Sequence, residues 1–124
     1  MKSFKVLLTV LFAITLCLST FARTVDPVVV TMNQPTVKTE TFKVLGKCGM
    51  CKTRVEKTAK TEGATSAAWD SKTQMLTVTF DPSKTNKDAL SKKIASVGHD
   101  TELYKAPDDV YENLPGCCHY ERLK

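Results

Sequence analysis

Between Thr39 and Lys105 the apolar residues fall into six short segments whose period switches between two and roughly 3.6, and few folds accept that order. Over Thr39–Gly46, Phe42 and Val44 alternate with Thr41 and Lys43, the pattern of a half-buried strand. A helical segment follows to about Glu62 and stops at Gly63; it is poorly apolar, with Val55 and Ala59 as its stripe. Ala64–Asp70, with Trp69 its only large side chain, and Gln74–Asp81, with Leu76, Val78 and Phe80 in alternation, read as a hairpin turned at Ser71–Thr73. Thr85 with Asp88 three residues on resembles a capping box, and Leu90, Ile94 and Val97 then recur at helical spacing up to Gly98. His99–Lys105 is expected as a last strand. Strand, helix, strand, strand, helix, strand is the split βαβ order of an α+β ferredoxin-like fold: a four-stranded antiparallel sheet with two helices on one face. A domain this small buries only about 60% of its unfolded surface, so the polar first helix makes its core marginal without a further source of stability.

Residues 1–22 read as a signal peptide. Lys2 and Lys5 precede a 13-residue apolar run, Val6–Leu18, and Thr20-Phe21-Ala22 places small residues at the recognition positions before a cut after Ala22. The run falls short of the ~18–20 residues that span a bilayer. No membrane span is expected once it is removed, and the protein is expected to be periplasmic or secreted. Residues 23–38, with Pro27 and Pro35, form a flexible lead-in in which Val28–Val30 offers at most a brief edge pairing. Loss of Lys2 and Lys5 lowers the formal charge from +5 to +3, and no dense basic run with interleaved aromatics remains, which argues against a nucleic-acid partner.

Four cysteines survive the loss of Cys17. Cys48 and Cys51 lie three apart on the bend that enters the first helix, with Gly49 allowing a tight turn. Free N–H groups at a helix start, and the neighbouring Lys47, Lys52 and Arg54, favour thiolate over thiol. Thiolates suit a soft metal ion or a disulfide partner equally, and export permits a plain structural disulfide as well. The second cluster is Cys117-Cys118-His119. A short helix over the Ala106–Leu114 tail segment, begun by Pro107 with Asp108 and Asp109 in its first turn, and three extended residues recover about 22 Å. That nearly cancels the roughly 23 Å that the last strand carries the chain away from the Cys48 edge. In an extended chain Cys117 and His119 face one way and Cys118 the other, so that use of both thiols requires a kink near Gly116.

The run Phe42-Lys-Val-Leu-Gly-Lys-Cys-Gly-Met-Cys-Lys-Thr-Arg-Val-Glu-Lys, followed by Gly63-Ala64, Val78-Thr79-Phe80-Asp81-Pro82 and Val97-Gly98-His99, resembles the heavy-metal-associated domain family. That family includes copper chaperones, periplasmic mercury-binding proteins and the metal-binding domains of copper-transporting ATPases. The resemblance covers about residues 40–105, which sets a domain over 39–105 and leaves 106–124 as a tail. It implies a soft-metal pair at Cys48 and Cys51, a non-enzymatic carrier of Cu(I) first and Hg(II) second, and a metal-transport or metal-accepting protein as partner. The Leu-Pro-Gly-Cys-Cys ending also resembles small bacterial proteins of the family, which attaches Cys117 and Cys118 to the domain as further ligands. His99, near the loop in this topology, and His119 are additional candidates, and zinc, which wants four ligands, comes third. Where the family usually carries Met two residues before the first cysteine, this chain has Gly46, and Met50 lies between the cysteines instead. Lys47, Lys52, Arg54 and Lys57 read as a solvated helix face, to which the resemblance adds the docking of an acidic partner. A monomer is expected, with a dimer sharing one ion between two loops as the other geometry. A thiol–disulfide redox protein and a metal-free, disulfide-stapled binding domain stand as alternatives.

Overall fold

The structure, a computed structural model, describes residues 36–122 and residue 124. The signal peptide over 1–22, and the lead-in over 23–38 up to residue 35 with Val28–Val30, lie outside the described residues. The elements are β1 (Lys38–Lys43), α1 (Gly49–Thr61), β2 (Ala64–Asp70), β3 (Met75–Phe80), α2 (Lys87–Ser96), α3 (Asp108–Glu112) and a 3-10 turn at Gly116–Cys118. The strands form one antiparallel sheet in the order β1-β3-β2. Phe42, Trp69, Leu76, Val78 and Phe80 are buried on its inner side, where Val55 and Ala59 of α1 and Leu90 and Ile94 of α2 join them. On the other side Thr39 pairs its hydroxyl with Thr79 at 2.9 Å, and Thr41 with Thr77 at 3.0 Å. Cys51 heads the buried stripe of α1, so the sparse apolar face of that helix is completed by a cysteine. Among the described residues no helix is long and apolar enough to cross a membrane.

Two expectations need correction. The last strand is reduced to one bridge, Val44 opposite Thr101. The Thr101 N–H donates to the Tyr104 carbonyl at 2.8 Å and the Thr101 hydroxyl accepts from the Tyr104 N–H at 2.9 Å. This tight turn draws the chain off the sheet, leaving a three-stranded ladder. Helix α2 is capped by Asn86, whose side-chain oxygen accepts from the Ala89 N–H at 2.8 Å. Thr85, taken in the sequence as the capping residue, is buried instead, with its hydroxyl unpartnered.

The tail folds back onto the turn after α2. Asp100 is fully buried; its Oδ1 accepts from the Ala106 N–H and from Arg122 Nη2, both at 2.7 Å, and its Oδ2 accepts from Arg122 Nε at 3.0 Å. The Tyr120 hydroxyl donates to the Gly98 carbonyl at 2.9 Å and accepts from the Asp100 N–H at 2.7 Å. Gly98, at φ 102°, has Leu114 Cδ2 only 2.8 Å from where a Cβ would stand, so it serves both the left-handed turn and the close packing of the tail. Tyr111 packs edge-on against Tyr120, and the Arg122 guanidinium lies 4.6 Å over the Tyr111 ring.

Burial pushes the Asp100 carboxyl up, but Arg122 and the Ala106 N–H outweigh it and hold the group below the usual carboxylate range. Such a depressed acid stabilises the fold above its unfolded pKa, and the contribution is lost as pH falls through the folded value. Arg122→Ala is therefore expected to cost about 3–5 kcal/mol in urea unfolding at pH 7, the usual loss when a buried pair loses one partner. The gap between variant and parent should close in acid. A gap that stays constant down through the carboxylate range would contradict the assignment.

Candidate metal centre

Cys48 is the N-cap of α1, in extended conformation at φ −130° and ψ 174°, and it brings its sulfur to the mouth of the helix. The loop before it is fixed from three sides. The Leu45 N–H donates to the Asp100 carbonyl at 2.8 Å, Gln74 Nε2 donates to the Gly46 carbonyl at 3.1 Å, and the Lys47 N–H points at Cys51 Sγ at 3.5 Å. Beneath the loop lies Trp69, its indole N–H donating to the Val44 carbonyl at 3.0 Å. A Cβ on Gly46 would sit 2.9 Å from Trp69 Cζ2 and 3.1 Å from Cys51 Cβ. Gly46 is thus the residue that lets a tryptophan from β2 support the loop. Lys52 Nζ is held by Glu56 and the Trp69 carbonyl, and Glu56 also accepts from the Trp69 N–H at 2.9 Å, which ties α1 to β2.

The structure brings all four thiols together. Cys48 Sγ lies 3.5 Å from Cys51 Sγ, 3.3 Å from Cys117 Sγ and 3.5 Å from Cys118 Sγ, and the two tail sulfurs are 3.9 Å apart. All four are free thiols. The kink that the use of both tail thiols requires is the 3-10 turn, closed by the Cys118 N–H on the Pro115 carbonyl at 2.7 Å. Cys51 and Cys118 are fully buried, Cys48 half-buried and Cys117 exposed. Met50 is exposed, with its thioether 3.5 Å from Cys117 Sγ.

The histidines stand apart. His99 is buried, with Nδ1 2.9 Å from the Leu45 carbonyl, its ring stacked on Tyr120 and Nε2 without a partner. Burial pushes its pKa down. His119 is exposed and lies against Tyr111. Neither belongs to the one cluster of three or more ligand-type groups found among the described residues, Cys48 with Cys117 and Cys118. Trp69, Gln74, Asp100, Tyr120 and Arg122 have roles at the site that sequence reasoning missed. The signal for Trp69 was the pairing of a glycine before the cysteines with the chain's single tryptophan; the others carried none.

Burial raises the Cys48 pKa, but the Cys51 backbone N–H and the thiols of Cys117, Cys51 and Cys118 outweigh it and bring it down to about 6. Burial, and contacts with Cys51 and Cys48, push Cys118 up. Contact with Cys48 first, then desolvation, raises Cys117. Of these three, Cys48 is the thiol that ionises first. In the reduced protein, pulse alkylation at pH 7 read by peptide mass spectrometry should modify Cys48 well ahead of Cys118, and the Cys48 rate should fall as the pH drops through about 6. Equal labelling of the two would contradict this.

The model of the family described as heavy-metal-associated domain matches residues 41–100. A copper-exporting P-type ATPase of Staphylococcus saprophyticus is 37% identical over 59 residues, which are 47% of this chain and 7% of the ATPase. The chain therefore spans a small part of that curated relative. The water-soluble region of the P-type ATPase CopA from Bacillus subtilis superposes with a TM-score of 0.51 at 30% identity, covering 55% of this chain and 46% of that one. A structure of the CopZ metallochaperone is 30% identical, covers 52% of this chain and 98% of its own, and gives a TM-score of 0.49. Through residues 41–100, with its sheet, its two packed helices and its cysteine loop, this chain belongs to the heavy-metal-associated domain family.

Proposed function

We propose that the protein is an exported, non-catalytic binder of a soft metal ion, Cu(I) first and Hg(II) second, which it holds through Cys48 and Cys51 with Cys117 and Cys118 as additional ligands. The observation that carries this reading is the sulfur cluster itself: the half-buried Cys48 sulfur with three other cysteine sulfurs within 3.5 Å. Thiolate sulfur selects soft ions, and a set of sulfurs with no oxygen donor discriminates against the hard ones. The copper-exporting ATPase among the relatives favours Cu(I). The basic stretch and apolar run of residues 1–22 support a place outside the cytoplasm, periplasmic or secreted.

The ion would leave by ligand exchange with the thiols of a metal-transport or metal-accepting partner. Cys117 is the exposed end of the cluster and the natural point of entry for an incoming thiol. Zinc ranks below the soft monovalent ion, because a closed zinc site wants four ligands around one centre and Cys51 stands outside the compact trio of Cys48, Cys117 and Cys118. One observation favours a second reading: a thiol lowered to about 6 beside three others also suits thiol–disulfide exchange.

Titration of the reduced protein with Cu(I) against a competing chelator separates the two. Tight binding that Cys48→Ser abolishes, with Cys117→Ser/Cys118→Ser weakened at least tenfold, is the expected result. No competition for copper, together with catalysed reduction of a model disulfide, would replace the carrier reading by the redox one.

A further inference from the structure

The arrangement of the four sulfurs points past a single ion. With a metal–sulfur bond of about 2.3 Å, one tetrahedral centre needs every sulfur–sulfur edge near ~3.8 Å, whereas a trigonal centre needs three edges near ~4.0 Å. Cys48, Cys117 and Cys118 form a closed triangle with edges of 3.3, 3.5 and 3.9 Å. Cys51 contacts Cys48 at 3.5 Å yet does not lie within 4.8 Å of all three members of that triangle. Cys48 is thus common to the closed triangle and to the 3.5 Å pair with Cys51, and the four sulfurs do not outline a regular tetrahedron.

Building on the soft-ion reading above, we propose that the tail creates a second metal site, Cys48–Cys117–Cys118, beside the Cys48–Cys51 pair, so that one chain holds two Cu(I) ions bridged by the Cys48 sulfur. A thiolate has lone pairs enough to bind two ions, and the Cys48 sulfur lies within 3.5 Å of each of the other three. Loading replaces the S–H protons of the cluster with two Cu(I) ions; no electron is transferred, and a cluster of four thiolates and two Cu(I) ions carries a charge of 2−. The Met50 thioether, 3.5 Å from Cys117 Sγ and exposed, stands where it can add a further soft donor on the solvent side. Cys51 and Cys118, both fully buried, hold the inner side of the two sites. The second site exists because Asp100 and Gly98 hold Arg122 and Tyr120, which seat the 3-10 turn against the loop.

The test is native mass spectrometry of the reduced full chain during Cu(I) titration against a competing chelator, with X-ray absorption at the copper edge on the saturated protein. The wild type is expected to hold two ions per monomer and to show a copper–copper scattering shell. Cys117→Ser/Cys118→Ser and Cys51→Ser should each retain one ion per monomer and lose that shell. Saturation at one ion, a second ion taken up only with dimerisation, or two ions in Cys117→Ser/Cys118→Ser would overturn the proposal while leaving single-ion binding intact. Failure of the wild type to take any copper would overturn both readings. The wild-type absorption spectrum decides the matter even if a variant fails to fold.

Discussion

The arrangement rests on a buried charge. Asp100 has no access to solvent, and an isolated carboxylate there would be strongly unfavourable. It is tolerated because Arg122 reaches it from the end of the chain with two hydrogen bonds while the Ala106 N–H supplies a third. The bond works in both directions, since the acid requires the tail and the tail is fixed by the acid. Tyr120, shared between the Gly98 carbonyl and the Asp100 N–H, repeats the connection one turn away. Asp100 also accepts the Leu45 N–H through its backbone. The turn that anchors the tail is thus the turn that braces the cysteine loop, and the two halves of the sulfur cluster are referred to one point.

Support beneath the loop comes from an unusual source. Where the resemblance implies a methionine before the cysteines this chain has Gly46, and the Trp69 ring of β2 lies 2.9 Å from where a Cβ there would stand. Its indole N–H satisfies the Val44 carbonyl at the end of β1, so a large side chain enters the core without an orphaned donor. With Trp69 beneath the loop and the tail beside it, Cys48 is half-buried and touches the exposed Cys117, which in turn meets the exposed Met50.

Much of this was legible in the residues because local pattern and tertiary role coincide. Phe42, Leu76, Val78 and Phe80 alternate in sequence and are buried on one face, and Val55 and Ala59 mark the inner side of α1. The Cys48–Cys51 spacing announced the loop. The rest depended on contacts with no local signature. Thr101 and Tyr104 close a turn where β-pattern alone predicts a strand. Asn86 outcompetes Thr85 as helix cap because Thr85 is drawn into the interior. The meeting of Cys117 and Cys118 with Cys48 requires a 3-10 turn and a buried ion pair between residues 22 positions apart, and sequence arithmetic could show only that the tail was long enough. His99 lies beside the loop as a buried brace on the Leu45 carbonyl, a contact with no signature in its neighbours.

The central claim is that the tail thiols sit beside the Cys48–Cys51 loop. Proton–proton contacts in the reduced, metal-free protein, read by nuclear magnetic resonance, test it most directly. The account predicts cross-peaks between the Met50 methyl and the Cys117 β-protons and between the rings of His99 and Tyr120. Residues 106–122 with unstructured-chain shifts and no contacts to the loop would contradict it.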